Sequence, residues 1–351
     1  MSTHAITLAT RDGRTLSFSA AAELDLLSAA EAAGMILPSL CRDGGCGACT
    51  CAVAEGDYRL GEYSAAALPD AARNRGDVLL CRTYAESDLS LLAPYGAEQI
   101  RFEIAMSRPA EIVALEEVAD NTVRLVLRLL AGPDGGSALE FEPGQYVTLG
   151  IPGTGVIRPY SLANTPNWTG ELEFFIRLQT GGRFSDFLRS EGRIGSRLDV
   201  AGPAGHFVLQ AQSLNSRWFI GGGTGLAPLL SMLRHMAEFG ETQPARLFFG
   251  VTRETELFAL DELARLEKEM PQLRIALCVW HPADGWAGFQ GTAAEALQQE
   301  LAAAEIWPDL YLCGPPGLVD AVMSVASEAG LADEHIFSES FLAVGGVPAP
   351  D

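Results

Sequence analysis

At 351 residues, 48% of them hydrophobic, the chain exceeds one ordinary core and has the apolar material for two or three. Its formal charge of −21, from 45 acidic against 24 basic side chains, argues against nucleic acid or an anionic membrane as a partner, since both would be repelled. No apolar run reaches bilayer length, Met1 to Thr10 has no basic stretch followed by an apolar one, and seven cysteines are an odd number for a disulfide framework. A soluble cytoplasmic protein is expected, its acidic surface either solvated or docked on a basic protein partner.

In chain order, Ile6–Leu8 and Leu16–Phe18 read as strands joined by an Asp12-Gly13 hairpin turn. Leu24, Leu27, Ala30 and Ala33 recur at helical spacing and Gly34 closes that helix. After a cysteine-rich loop, Val53, Tyr58 and Leu60 suggest short strands, and Val78-Leu79-Leu80 a further strand that delivers Cys81. The pattern lapses around Pro94 and Gly96, taken as a linker. From about Ile100 to Leu209 strands dominate: Val123, Leu125, Leu127 and Leu129 alternate with Thr122, Arg124, Val126 and Arg128, Leu172 to Leu178 forms another β-rich run, and Ser185 to Ser190 reads as one helix. That is an antiparallel barrel or sandwich. From Arg217 the pattern becomes strand, turn, helix, with strands at Trp218–Ile220, Arg246–Val251, Arg274–Val279 and Leu310–Cys313 and helices between them, which implies a parallel sheet covered on both faces.

The loop Cys41-Arg-Asp-Gly-Gly-Cys-Gly-Ala-Cys49, with Cys81 further on, has the C-x4-C-x2-C…C spacing of a plant-type [2Fe–2S] site. Gly44, Gly45 and Gly47 suit a loop that must adopt positive φ and bring its backbone close to a cluster. A zinc site, disulfides or a plain glycine turn are the alternatives, although zinc sites usually show paired C-x2-C halves. Cys51 and Cys278 read as packing residues. His206 and His281 have no evident partner for acid–base chemistry.

Gly221-Gly-Gly-Thr-Gly-Leu-Ala-Pro228 lies between a buried strand and a helix, where bare amides make an anion site; Leu226 stands where the Rossmann fingerprint has its third glycine, and a merely structural turn is the alternative. Cys313-Gly-Pro-Pro-Gly317 ends a later strand of the same sheet and should face the same crevice, with Cys313 either against a nicotinamide or simply buried. Arg158-Pro-Tyr-Ser161 offers a cation, an aromatic face and a hydroxyl, and Gly181-Gly-Arg-Phe-Ser185 opens a helix downstream, a second phosphate site; together they suit a flavin dinucleotide.

With Val78-Leu-Leu-Cys-Arg-Thr-Tyr84, Phe141-Glu-Pro-Gly-Gln145, Gly181-Gly-Arg-Phe-Ser-Asp186, Cys278-Val-Trp-His-Pro282 and Tyr311-Leu-Cys-Gly-Pro-Pro-Gly317, the chain resembles over nearly its whole length the reductase components of bacterial multicomponent oxygenases. Within them it is most similar to the component C group of soluble methane monooxygenase. The resemblance implies a β-grasp (α+β) ferredoxin domain at 1–97, an antiparallel β-barrel FAD domain at 98–210 and an α/β NAD(H) domain at 211–351. It implies cluster ligands Cys41, Cys46, Cys49 and Cys81, FAD held by Arg158, Tyr160 and Ser161 with Ser161 near flavin N5, and the pyrophosphate held by Gly182, Arg183, Phe184 and Ser185. Gly222, Gly223, Thr224 and Gly225, with Cys313, Gly314 and Pro315, would bind the pyridine nucleotide. Phe341 would lie beside the flavin, although Glu339-Ser-Phe341 departs from the usual Glu-Lys-Phe. Ser161, Cys313 and Phe341 are then the residues nearest the chemistry.

The resemblance favours NADH. The sequence agrees in part: Glu254 and Glu256 suit a ribose diol, whereas Arg253 suits a 2′-phosphate. Electrons would pass from NADH through FAD and the cluster to a separate protein. The chain has no Glu-x-x-His di-iron motif, so the implied acceptor is a di-iron hydroxylase of methane or another short hydrocarbon, met by a monomer in transient complexes. A reductase for a Rieske-type aromatic dioxygenase, a redox-sensing iron–sulfur flavoprotein and a flavin oxidase with a structural cluster are the competing readings.

Overall fold

Alternation places Ile6 and Leu8 of β1 (Thr3–Ala9) and Phe18 and Ala20 of β2 (Thr15–Ala21) on one buried face, and Gly13 at φ +82° lets the chain reverse between them. The computed structural model describes residues 3–39, 42, 44–100, 107–132, 135–205, 207–304 and 306–340, in two compact units, 1–105 and 106–351.

In the first unit α1 (Leu26–Ala32) starts after Asp25, whose carboxylate accepts the Ser28 amide at 2.9 Å. The helix is thus shorter than the apolar spacing suggests: Leu24 precedes the cap and is exposed, and Ala33 is the C-cap residue. Strands β3 (Thr50–Glu55), β4 (Tyr58–Leu60), a short helix α2 (Asp70–Arg73), β5 (Asp77–Leu79), β6 (Thr83–Ala85) and β7 (Leu89–Leu92) follow. The sheet order is β2-β1-β7-β3-β5, with β4 and β6 in a separate ribbon. Leu26, Leu27, Ala29 and Ala30 of α1 join the strands in one core, as a β-grasp requires. Cys81 sits on a 3-10 turn, Leu80–Arg82, rather than on a strand, because β5 ends at Leu79. The segment at Pro94 to Gly96 packs into this unit: Tyr95 is buried and its carbonyl accepts the Arg11 amide at 2.9 Å.

The second unit begins with β8 (Arg108–Ala119), β9 (Thr122–Leu129), β10 (Tyr146–Ile151), β11 (Val156–Ser161), β12 (Glu171–Arg177), α3 (Arg183–Ser190) and β13 (Arg197–Ala204). The strands form an antiparallel sheet in the order β11-β10-β13-β8-β9-β12. Every one of them contributes to a single core, from Ile112 and Leu125 to Leu149, Val156, Phe174 and Val200, so the sheet curls around its own interior, and Phe184 and Leu188 of α3 close it.

The chain continues through β14 (Arg217–Gly222), α4 (Leu226–Glu238), β15 (Ala245–Val251), α5 (Leu260–Glu269), β16 (Leu273–Val279), β17 (Phe289–Gln290), α6 (Ala293–Leu301), β18 (Asp309–Gly314), α7 (Pro316–Ala329) and β19 (Ile336–Ser340). These strands are all parallel, in the order β17-β16-β15-β14-β18-β19. Helices α4 and α5 pack on one face, α6 and α7 on the other. Helix α7 and strand β19 lie beyond the last strand legible in the sequence.

The barrel and this sheet are fastened together. Ser231 Oγ of α4 donates to the Asn164 carbonyl at 2.7 Å, and Arg234 donates to the Ala163 carbonyl at 3.0 Å while pairing with Glu173 of β12. These bonds hold the carboxyl end of β14 against the rim of the barrel.

Candidate functional site

The cysteine loop lies against α1 and the segment after β4. Cys49 and Cys81 are buried with their sulfurs 3.3 Å apart, too far for a disulfide and suited to two ligands of one metal centre. Cys46 is half-buried on the same loop, and Cys41 and Asp43 lie outside the described residues. Gly44 has φ +84°, and a Cβ there would stand 2.8 Å from Arg82 Cγ and 2.9 Å from Tyr63 Cβ, so the loop closes only without a side chain. Gly47 is also at positive φ, but Gly45 is not; Arg42 takes that role at φ +61°, with its guanidinium anchored on Glu31 of α1. The donor set and the tight glycine wrap fit an iron–sulfur cluster. Burial pushes the Cys51 and Cys278 thiols up to about 12, as packing residues behave.

In the barrel, β11 brings Arg158, Tyr160 and Ser161 to one rim. Tyr160 rests on Phe184 of α3 with ring centroids 5.1 Å apart, and Ser161 is buried. Gly182 precedes α3, whose first-turn amides at Arg183, Phe184 and Ser185 have no carbonyl within the helix and form an anion cradle. The Ser185 hydroxyl itself accepts the Gln179 amide at 2.9 Å and is engaged within the loop.

The two glycine turns of the parallel sheet meet where the strand order reverses, between β14 and β18, the usual ligand crevice of such sheets. Gly223–Gly225 form a 3-10 turn, and a Cβ on Gly225 would lie 2.2 Å from the Cys313 carbonyl oxygen. A Cβ on Gly222 would be 2.9 Å from Pro315 Cδ, and one on Gly314 3.1 Å from the Gly222 nitrogen. Both turns are thus glycine for close approach, and they leave backbone rather than side chains facing the crevice.

At the same place three strands bring together Ser161, Cys313 and Glu339. Ser161 Oγ donates to Glu339 Oε2 at 2.9 Å, and Cys313 is the cross-strand partner of Glu339. Glu339 is buried and its Oε1 has no partner among the described residues, an open acceptor in a dry site. Burial raises its carboxyl to about 7, against the opposing hydrogen bond from Ser161. Burial, then the Glu339 charge, pushes the Cys313 thiol well above its ordinary value, so it is no nucleophile. The sequence assigns Glu339 no role of its own; its signal there is the first position of Glu339-Ser-Phe341, which matches the family's Glu-Lys-Phe. Phe341 lies outside the described residues.

Further residues emerge only here. Arg177, at the end of β12, has its NH1 3.9 Å from the Cβ position of Gly223, a cation beside the nucleotide turn. Trp280, 55% exposed after β16, stacks on His281 at 4.6 Å. Glu254 and Glu256 are both engaged by backbone: Glu254 Oε1 accepts the Ala283 amide at 2.8 Å, and buried Glu256 accepts the Thr252 amide at 3.0 Å.

Three family models match in succession: a 2Fe-2S iron-sulfur cluster binding domain at residues 9–86, an oxidoreductase FAD-binding domain at 109–209 and an oxidoreductase NAD-binding domain at 219–324. Methane monooxygenase component C of Methylosinus trichosporium is 42% identical over 84% of this chain and 86% of its own length. The chain belongs to the reductase components of multicomponent oxygenases. The toluate 1,2-dioxygenase electron transfer component of Pseudomonas putida is 34% identical to the reductase, over 97% of this chain and 99% of its own. Among solved structures, the ferredoxin reductase in carbazole 1,9a-dioxygenase superposes with a TM-score of 0.76 at 26% identity, covering 97% of this chain and all (100%) of that one. The reductase is an oxidoreductase with a [2Fe–2S] cluster, FAD and NAD(H) as cofactors. Among its described residues no helix is long and apolar enough to cross a membrane.

Proposed function

We propose that the reductase draws electrons from NADH and delivers them to the di-iron hydroxylase of a soluble monooxygenase acting on methane or another short hydrocarbon. The observation that carries this choice of partner is the 42% identity to methane monooxygenase component C. When bound, the nicotinamide supplies a hydride, the flavin divides that pair into single electrons, and the cluster carries them one at a time.

The chain's own residues hold and insulate these groups. Cys41, Cys46, Cys49 and Cys81 ligate the cluster. Arg158 and Tyr160 grip the FAD, and the amides of Gly182 to Ser185 receive its pyrophosphate. Gly222, Gly223, Thr224 and Gly225, with Cys313, Gly314 and Pro315, receive the dinucleotide, while Arg177 offsets its pyrophosphate charge and Trp280 offers the adenine a stacking face. Ser161 and Glu339 hold a proton at Ser161 Oγ. Buried Cys313 would exclude water from the reacting atoms, and Phe341, which lies outside the described residues, is assigned to the flavin by the resemblance alone. Domain boundaries at 97/98 and 210/211, a monomeric state and a cytoplasmic location complete the reading.

Reconstitution tests it: the purified reductase, NADH and a di-iron hydroxylase should give hydrocarbon oxidation coupled to NADH use. The similarity to the toluate dioxygenase component over 97% of the chain favours the second reading, a Rieske-type partner. Turnover with a Rieske oxygenase and none with any di-iron hydroxylase would overturn the first.

A further inference from the structure

Sheet order fixes the direction in which a dinucleotide lies. The nicotinamide end belongs over β18, beside Ser161, Cys313 and Glu339, and the pyrophosphate over the glycine turn that ends β14. Neighbouring strands are ~4.8 Å apart, so the adenosine ribose comes over the end of β15, at Thr252 to Glu256. In that loop Arg253 is the one cation, and a guanidinium at this place is what a 2′-phosphate requires.

The guanidinium is already engaged. Arg253 NH2 lies 3.2 Å from Glu256 Oε1 and 3.9 Å from Asp120 Oδ2. Asp120 comes from the β8–β9 turn of the barrel, and that turn is bonded to the loop itself. The Asp120 amide donates to the Thr255 carbonyl at 2.9 Å, and Thr255 Oγ1 donates to Asp120 Oδ2 at 2.6 Å. Glu256 is buried, fixed by the Thr252 amide and 3.7 Å from Arg177 NH2. Carboxylates at Asp120 and Glu256 thus face guanidiniums at Arg177 and Arg253, two charges against two, a balance that leaves a dianionic phosphate uncompensated.

We propose that Asp120, a residue of the flavin barrel, selects NADH over NADPH by holding Arg253 against Glu256 and away from a 2′-phosphate. This rests on the reading of the sheet as the NADH site. It resolves the mixed signal of the sequence, in which Arg253 stands for one coenzyme and its acidic neighbours for the other: the deciding carboxylate lies far upstream, on a different lobe.

Asp120→Asn keeps an acceptor for Thr255 and removes the charge. With ferricyanide as acceptor, the ratio of kcat/KM for NADPH over NADH should rise about two- to fivefold in D120N, the worth of one partly exposed ion pair. Calorimetry should show adenosine 2′,5′-bisphosphate binding tighter by a similar factor and 5′-AMP unmoved. The double variant D120N/R253A should return both to wild-type values. A wild-type preference for NADH with no response in D120N refutes the clamp alone, as does a gain that survives R253A. A wild-type preference for NADPH refutes the NADH reading and the clamp with it.

Discussion

Replacing Glu339 by Gln tests the dry acceptor site directly. Burial raises this carboxyl from 4.5 to about 7, and with ~1.4 kcal/mol per pKa unit the shift corresponds to about 3 kcal/mol of proton-linked stability. The folded pKa lies above the unfolded one, so the contribution is fully present below pH 4.5, falls as pH rises towards 7, and is gone above it. All five tryptophans (168, 218, 280, 286 and 307) belong to the second unit, so their fluorescence in urea reports the unfolding of that unit alone. With FAD removed, the stability of wild type relative to E339Q should be greater near pH 5 than near pH 8 by about 2–3 kcal/mol. An equal difference at both pH values would refute the buried, proton-holding carboxyl. An unchanged pH dependence of flavin reduction by NADH in E339Q would separately refute its place at the Ser161 hydroxyl.

Cys81→Ser should abolish the visible absorption and bound iron of the cluster while NADH still reduces the flavin, because the second unit has its own core; iron analysis and stopped-flow absorbance check both halves. Gly225→Ala places a Cβ 2.2 Å from the Cys313 carbonyl, an overlap of backbone that costs about 1–3 kcal/mol to relieve. NAD binding, followed by calorimetry, should weaken about tenfold or more with FAD content unchanged. A fragment of residues 106–351 should reduce its flavin with NADH and fail to drive the oxygenase; oxygenase turnover by that fragment would contradict the order of electron flow.

The cysteine spacing, the two glycine turns and the alternation of Val123 to Leu129 were legible in the sequence because each is a local pattern: a ligand set, a helix start and a pleat depend on neighbours along the chain. Helix α7 and strand β19 were not, since their burial is set by α6 and β18 rather than by their own periodicity. The same holds at the site. Ser161 and Cys313 announced themselves by motif, but Glu339 is 178 residues from the serine it accepts from, and only the pairing of β19 with β18 brings it there. Asp120 and Arg253 are likewise an ordinary turn residue and an ambiguous cation until the β8–β9 turn bonds to Thr255. The sequence alone pointed to the cofactors of this chain, because most of their binding residues fall in short local motifs, Cys81 being the exception. Tertiary structure decided which charges surround them, because burial and ion pairing belong to strands that meet only after folding.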